Sequence, residues 1–365
     1  MSDIRACTAD DIPAVARMFQ KVFRDPAAAA SSSLESYLRE LFLEHPWRDP
    51  DTSSRVYVDG DGRVRGFIGV LPMRMSFHGQ PIRAALASSL MVDNPAEHPM
   101  AGARLLRSYL NGPQDLCVSE TSNSTAQLMW ERVGGRSIAE YSMEWLRPLR
   151  PLGTGIALLE DRLPAAKLLR PLASLADRAM MRFAPGLSWP APVPPAIYAA
   201  ADVDDEGLLE HIPRFAQHYA LHPEWDRATL AFFLRHAARK QRHGELHRRM
   251  VYGRNRSPVG CYLYYGRPRQ IAFVLQILAL PEAIDGVVAS LLAHAEQQGC
   301  VAVRGRTQPH QLDALLRHRC VFFQHSSTTV YTGNADLLSA IRSGDAFIIG
   351  LAGESWTRLI GERFA

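Results

Sequence analysis

The chain has 365 residues, a formal net charge of +4 and a pI near 8.9, with 47% hydrophobic and 21% charged residues. That length suits two domains of ordinary size, and the mild basicity fits an anionic small ligand while weighing against nucleic acid. No run approaches 18 uninterrupted apolar residues, and the N-terminus lacks a signal-peptide core, so a cytoplasmic protein without a membrane span is expected. The five cysteines form no C-x-x-C pair and read as reduced, partly buried thiols with no structural metal.

Residues 4–7 form a short strand candidate, and Thr8-Ala9-Asp10-Asp11 opens a helix with apolar residues at Ile12, Val15, Ala16, Met18, Phe19 and Val22. Residues 27–33 are small and read as a mobile loop on the substrate side, followed by a helix over 34–42. Strands over 55–58 and 64–77 flank the turn Asp59-Gly60-Asp61-Gly62, and His78-Gly79-Gln80 turns the chain again into 82–87.

Residues 88–135 then read strand, turn, helix, strand, helix. The small residues Ala101-Gly102-Ala103 sit where the helix after Pro99 begins. A helix start carries unpaired N–H groups and partial positive charge, so it can hold a phosphate if no bulky side chain intervenes. Arg104 and Arg107 can add to that field.

This stretch resembles the acyl-CoA-binding core of the GNAT superfamily of N-acyltransferases. There a strand ends in Val-x-Pro, as Val92-Asp93-Asn94-Pro95 nearly does here, and an Arg/Gln-x-x-Gly-x-Gly/Ala loop cradles pyrophosphate. His98, Ala101 and Ala103 fall at those loop positions. Asn123, Ala126 and Gly134 match a later Asn-x-x-Ala-x-x-x-Tyr-x-x-x-Gly pattern. Two positions depart from it: Ala101 replaces Gly, and Trp130 replaces the Tyr that often protonates the leaving group. The resemblance implies acetyl-CoA or another acyl-CoA as co-substrate. Leu90, Met91 and Val92 would lie beside its thioester, His98, Ala101, Gly102, Ala103 and Arg104 around its phosphates, and Asn123 nearby. The strand followed by Asp10-Asp11-Ile12 also resembles a GNAT opening. The extra hairpin before residue 88 is similar to tandem acetyltransferases of the enhanced-intracellular-survival type.

Acyl transfer to an amine needs a neutral nucleophile, a polarised carbonyl and a proton for the leaving thiolate. Backbone N–H groups near Met91 and Val92 can polarise. Glu120 and Asp93 are the strand-end carboxylates placed for proton removal, with Glu120 preferred, and Tyr141 is the nearest downstream phenol. Each can equally be an ordinary strand residue.

Residues 137–149 are expected to finish the first sheet. Between 151 and 195 the chain turns helical with a basic stripe (Arg162, Lys167, Arg170, Arg178, Arg182). It then becomes proline-rich at Pro185-Gly186 and over 189–195. The plainer account is an inter-domain strut with a solvated basic face; the alternative is a membrane-surface helix.

The second half repeats the plan. Strands are expected over 197–203, 246–251, 259–265, 271–280, 301–304 and 328–331, the last closing the second sheet. Helices are expected over 208–219, 226–240, 284–298 and 311–316. Glu282 and Asp285 stand where a pyrophosphate would sit, so this half should have lost the cofactor. It resembles the degenerate partners in mycothiol-synthase-like and Fem-type tandems. Arg304 and Arg306 leave a strand as candidate anchors for substrate anions. The histidines at 211, 218, 222, 236, 243 and 247 lack a spaced third ligand, so no metal is expected. Trp356 is expected to pack on a domain surface.

The expectation is an α/β (α+β) protein of two tandem GNAT-like domains, each a mostly antiparallel mixed sheet flanked by helices. The divisions are 1–150, a linker at 151–195, and 196–365. The expected activity is acyl-CoA-dependent N-acyl transfer to a small amine such as an amino sugar or amino acid. Alternatives are an inactive GNAT-like binding protein and a Fem-type aminoacyl transferase using charged tRNA. The sequence allows a homodimer.

Overall fold

In the computed structural model, residues 3–160, 163–183 and 189–364 are described; Arg162 and Pro185-Gly186 lie outside them. The chain opens with β1 (Asp3–Ala6), whose exit is held by Asp11. The Asp11 carboxylate accepts from the Thr8 N–H at 2.8 Å and the Arg5 guanidinium at 2.7 Å. Burial opposes its ionisation, but these bonds outweigh that and hold the carboxyl below its usual range. Helix α1 (Ile12–Phe23) then buries Ile12, Val15, Ala16, Met18 and Phe19, one face at helical spacing. Residues 27–33, expected as a loop throughout, end inside α2 (Ser32–Leu43), because the Ser31 hydroxyl accepts from the Leu34 N–H and starts the helix.

Strand β2 (Arg55–Val58) leads to the long hairpin of β3 (Val64–Phe77) and β4 (Gln80–Val92). His78 and Gly79 both take positive φ, 49° and 78°, the two-residue turn that matches strand twist. Next come α3 (Ala101–Leu110), β5 (Leu116–Ser122), α4 (Ser124–Arg132), β6 (Arg136–Ile138), α5 (Ala139–Ser142), β7 (Met143–Pro148), α6 (Pro151–Glu160) and α7 (Arg170–Phe183). The second half runs β8 (Ala199–Asp202), α8 (Asp205–Ala216), β9 (Leu221–Pro223), α9 (Arg227–Ala238), β10 (Glu245–Tyr252), β11 (Pro258–Gly266) and β12 (Ile271–Ala279). It ends with α10 (Ile284–Gln297), β13 (Ala302–Arg306), α11 (Leu312–Arg317), β14 (Val321–Gln324), β15 (Ser327–Tyr331) and α12 (Ala335–Ser343).

These strands make two sheets, ordered β1-β2-β3-β4-β5-β15-β6, with β9 added to β3, and β14-β7-β13-β12-β11-β10-β8. Read from β8, the second order repeats the first position by position. Each sheet has one parallel neighbour pair at its centre, β4 with β5 and β12 with β13. Each also borrows its penultimate strand from the other half of the sequence. Two expectations are corrected here. Residues 137–149 do not all finish the first sheet, because β7 pairs with β13 and β14. Likewise β15 does not close the second sheet; it pairs with β5 and β6. The compact units are therefore discontinuous in sequence: Met1–Ser142, Tyr219–Phe233 and Ser326–Ala365 make one, Met143–His218 and Leu234–His325 the other.

Each unit has its own core. In the first, Ala101, Leu105, Leu106 and Tyr109 of α3 pack with Ile68, Val70, Cys117 and Trp130. In the second, Trp145 of β7 joins Tyr262, Tyr264, Val287, Leu291 and Val303. Full burial of one such large side chain stabilises by roughly 1.5–3 kcal/mol, so the borrowed strand is tied in by its core residues as well as its ladder.

Candidate active site

The first unit's sheet opens at its centre. Strands β4 and β5 pair only over Ala84–Leu86 and Leu116–Val118, then part. On its other edge β4 carries a bulge: Met91 pairs with Phe67 and Ser88 with Gly69, leaving Ser89 and Leu90 opposite one residue. Ser89 sits at φ 52°, a conformation unusual for serine that re-aims the backbone at this point. A cavity of about 270 Å³ occupies the gap. Ser88, Ser89 and Leu90 line one side, Ser119, Thr121 and Ser122 the other, and Trp130 of α4 a third.

A carboxylate from the C-terminal segment bridges the gap. Glu354 accepts from the Ser88 hydroxyl at 2.5 Å and the Thr121 hydroxyl at 2.5 Å, one from each parted strand, and it lines the cavity. Its segment is held in place by Glu120. The fully buried Glu120 carboxylate accepts from the N–H groups of Gly350 (2.9 Å), Glu354 (2.6 Å) and Ser355 (3.0 Å), and from the Ser355 hydroxyl (2.7 Å). A Cβ at Gly353 would fall well inside contact distance of that carboxylate, so only glycine fits there. Arg24, also on the cavity wall, donates to the carbonyls of Leu359 (2.7 Å) and Glu362 (2.9 Å).

Glu120 is thus placed differently from a strand-end base open to substrate. Ser119 and Thr121, on either side of Glu120 along β5, line the cavity, while the Glu120 carboxylate between them turns to residues 350–355. Tyr141 is likewise not on the cavity wall. It is buried, its hydroxyl donates to the Ala346 carbonyl at 2.7 Å, and burial pushes its pKa well above the usual phenol value. Asp93 accepts from Lys21 (2.6 Å) and Arg65 (2.9 Å), and the Lys21 bond leads in holding it below the usual carboxylate range.

The helix start expected to hold phosphate is α3, whose Ala101 N–H bonds the His98 carbonyl at 3.1 Å. Nothing caps the first turn of α3 through a side chain, and that turn contains no acid. Ala101 and Gly102 are buried, and a Cβ at Gly102 would come within 3.0 Å of the Met129 side chain, so this glycine serves packing. Ala103 is half-buried. The His98 ring lies 5.9 Å from that of Tyr57, and the Arg104 guanidinium stacks over the same ring at 5.2 Å. Asn123 caps α4, accepting from the Ala126 N–H at 2.9 Å, and lines the cavity. Of the predicted residues, Leu90 and Asn123 are therefore on the cavity wall.

Arg304 and Arg306 belong to the second unit. Arg304 is bound to Glu144 at 2.5 Å between the rings of Phe273 and Phe323, and Arg306 stands 4.0 Å from the same carboxylate. These two arginines, expected to anchor substrate anions, thus both face Glu144, which β7 brings alongside them. The histidines of this half disperse; His243 stacks on Phe273 and His247 on Tyr264. Among the described residues no cluster could hold a metal, and no helix is long and apolar enough to cross a membrane.

The whole fold can be set beside solved structures. A GCN5-related N-acetyltransferase from Anabaena variabilis superposes with a TM-score of 0.61 at 13% identity, over 92% of this chain and 73% of that one. Both sheets have the GNAT-like fold. A probable N-acyltransferase of unknown function from Enterococcus faecalis gives 0.60 at 9% identity, over 91% and 73%. A GCN5-related N-acetyltransferase from Kribbella flavida gives 0.54 at 12%, over 90% and 70%. No family model and no curated protein matches the sequence. At these identities the likeness establishes the GNAT-like architecture, in tandem, and nothing finer.

Sequence reading missed Ser88, Thr121, Arg24 and Glu354. Thr121 had a signal in its alternation with buried Glu120 and Ser122, whereas Ser88 follows four buried residues and had none. Glu354 had none, because its segment has no regular period.

Proposed function

We propose that the first unit is an acyl-CoA-dependent N-acyltransferase acting on a small amine. The observation that carries this reading is the parted pair β4 and β5, with a cavity between them bridged by the Glu354 carboxylate and flanked by the bulge at Ser89 and Leu90. The uncapped start of α3 fits the phosphates of CoA, since it offers backbone donors with no side-chain acid to repel them. The bound acyl-CoA would supply a thioester carbonyl and a thiol leaving group.

Within this reading Glu354 is the proton acceptor. The acceptor amine arrives as an ammonium and must lose a proton before its lone pair can attack; a carboxylate at the cavity wall takes that proton directly or through water. Ser88 and Thr121 orient it. The re-aimed backbone at Ser89 and Leu90 offers N–H donors for the carbonyl oxygen, and the cavity hydroxyls or water return a proton to the thiolate. Glu120 acts through Glu354 as a positioning residue. Arg24 closes the cavity by holding residues 359–362.

One observation favours the rival reading of an inactive acyl-CoA binder: the Glu354 carboxylate is already engaged by two hydroxyls. The test is Glu354→Gln, with thiol release followed over a panel of small amines and acetyl-CoA affinity measured alongside. A fall of about a hundredfold in rate with affinity kept supports the proton-transfer role. Wild-type chain that binds acetyl-CoA but releases no thiol with any amine favours the rival.

A further inference from the structure

The helical segment of the second unit between Pro151 and Phe183 has its polarity reversed. An ordinary surface helix points its apolar stripe inward. Helix α7 turns Ala173 and Asp177 inward, 8% and 3% exposed, while Leu172 and Leu175 are 64% and 61% exposed and Phe183 79%. Leu168, one turn earlier, is 75% exposed and continues the same stripe at spacings of four, three and eight. The orientation is fixed rather than accidental. The Asp177 carboxylate accepts from the N–H groups of Leu152 (3.0 Å) and Gly153 (2.8 Å), so it pins the inner face to the start of α6. Leu158 and Leu163 add to the outward apolar surface. An exposed apolar stripe of this kind marks an interaction site.

The charges around it select the partner. Of the two acids among the described residues of this segment, Asp177 is buried and Glu160 is bound to Arg170. Lys167, Arg178 and Arg182 are exposed beside the stripe. Next to α7, a cavity of about 290 Å³, wide enough for a phosphate headgroup, is lined by Arg178 and Arg269, by Arg150, which pairs with Glu296, and by Asp177, whose carboxylate is taken up by the N–H groups of Leu152 and Gly153. Pairing with a second copy across a two-fold axis would set these cations against their own kind. An anionic lipid surface satisfies both features, taking the leucines below the headgroups and the cations among them.

We propose that the segment is a peripheral docking site for an anionic phospholipid membrane, with the arginine-lined cavity receiving a headgroup phosphate. The full-length chain is sedimented with vesicles of phosphatidylcholine, alone or with about a third phosphatidylglycerol. Binding at least about tenfold tighter to the anionic vesicles is expected. Leu172→Glu with Leu175→Glu, and separately Arg178→Glu with Arg269→Glu, should each remove most of it. All four side chains are exposed, so the thermal unfolding of both double variants should match the parent. Equal binding to both vesicle types, no binding to either, or undiminished binding by the leucine pair overturns the proposal. So does a dimer in light scattering that the leucine pair dissolves, which would make the occupant a second copy.

Discussion

The two units share one strand order, yet they treat the gap between their central parallel strands differently. In the first, beyond Leu86 and Val118, hydroxyls and Glu354 line an open cavity. In the second, β12 and β13 pair over Ile271–Phe273 and Ala302–Arg304 and then diverge in the same way. There the amide of Gln311 reaches the Ile277 carbonyl at 3.1 Å and Gln308 at 3.2 Å, and these buried side chains stitch the gap. The helix starts differ as well. The first turn of α3 holds no acid, whereas Asp285 at the start of α10 already neutralises the helix end and pairs with Arg317 at 2.9 Å. The backbone provides a gap and a helix start twice. Side chains decide which of the two gaps stays open.

The first unit depends most heavily on the strand it takes from late in the sequence, β15. Removing residues 326–365 deletes β15, the strand between β5 and β6, together with the segment that carries Glu354. The first unit should then lose its cooperative fold, read as loss of slow-exchanging amides in β4 and β5. Gly353→Ala comes next. It forces a Cβ against the Glu120 carboxylate and should destabilise by about 3 kcal/mol in urea unfolding. Glu120→Gln should cost about 1–3 kcal/mol, because an amide cannot accept all the bonds the carboxylate takes.

A smaller effect, on pH, is common to the two units. Burial, with Arg48 nearby, lowers the pKa of His45 in the first unit to about 4. Burial, with Arg249 and His247, lowers that of His294 in the second to about 4. Both are neutral when folded and near 6.5 when unfolded, so the unfolded chain takes up protons first. Stability should fall as pH drops from about 6.5 towards 4, by on the order of 2 kcal/mol for each group. His45→Gln and His294→Gln should each flatten part of that slope in denaturation curves at pH 7 and 4.5.

The elements themselves were legible because apolar periodicity and turn residues act locally: α1, β3 with the turn at His78 and Gly79, and the run β10 to β12 fall where the pattern puts them, while β4 runs unbroken through the two strands expected over 82–87 and from 88. The exchange of β7 and β15 was not. Both read as strands, and nothing in a strand's own residues names its neighbour when either sheet offers an antiparallel edge. The site was half legible. Leu90 and Asn123, named for the cofactor, do reach the cavity, whereas Ala101 and Gly102 are buried at the start of α3. Glu120 was chosen as an acid at a strand end. Its side chain is taken up by the N–H groups of Gly350, Glu354 and Ser355, and the carboxylate that reaches the cavity comes from an irregular segment more than two hundred residues later. Trp356 did declare itself: it is buried, 4.4 Å from the ring of Phe233.

The measurement that bears most directly on the contrast between the units is titration calorimetry with acetyl-CoA. The wild-type chain should bind one equivalent. Ala103→Glu, a half-buried position at the start of α3, should abolish binding while leaving thermal unfolding close to wild type. Asp285→Ala in the second unit should leave the stoichiometry at one. Two equivalents in the wild type, or undiminished affinity in Ala103→Glu, would contradict a single ligand site at the parted strands of the first unit.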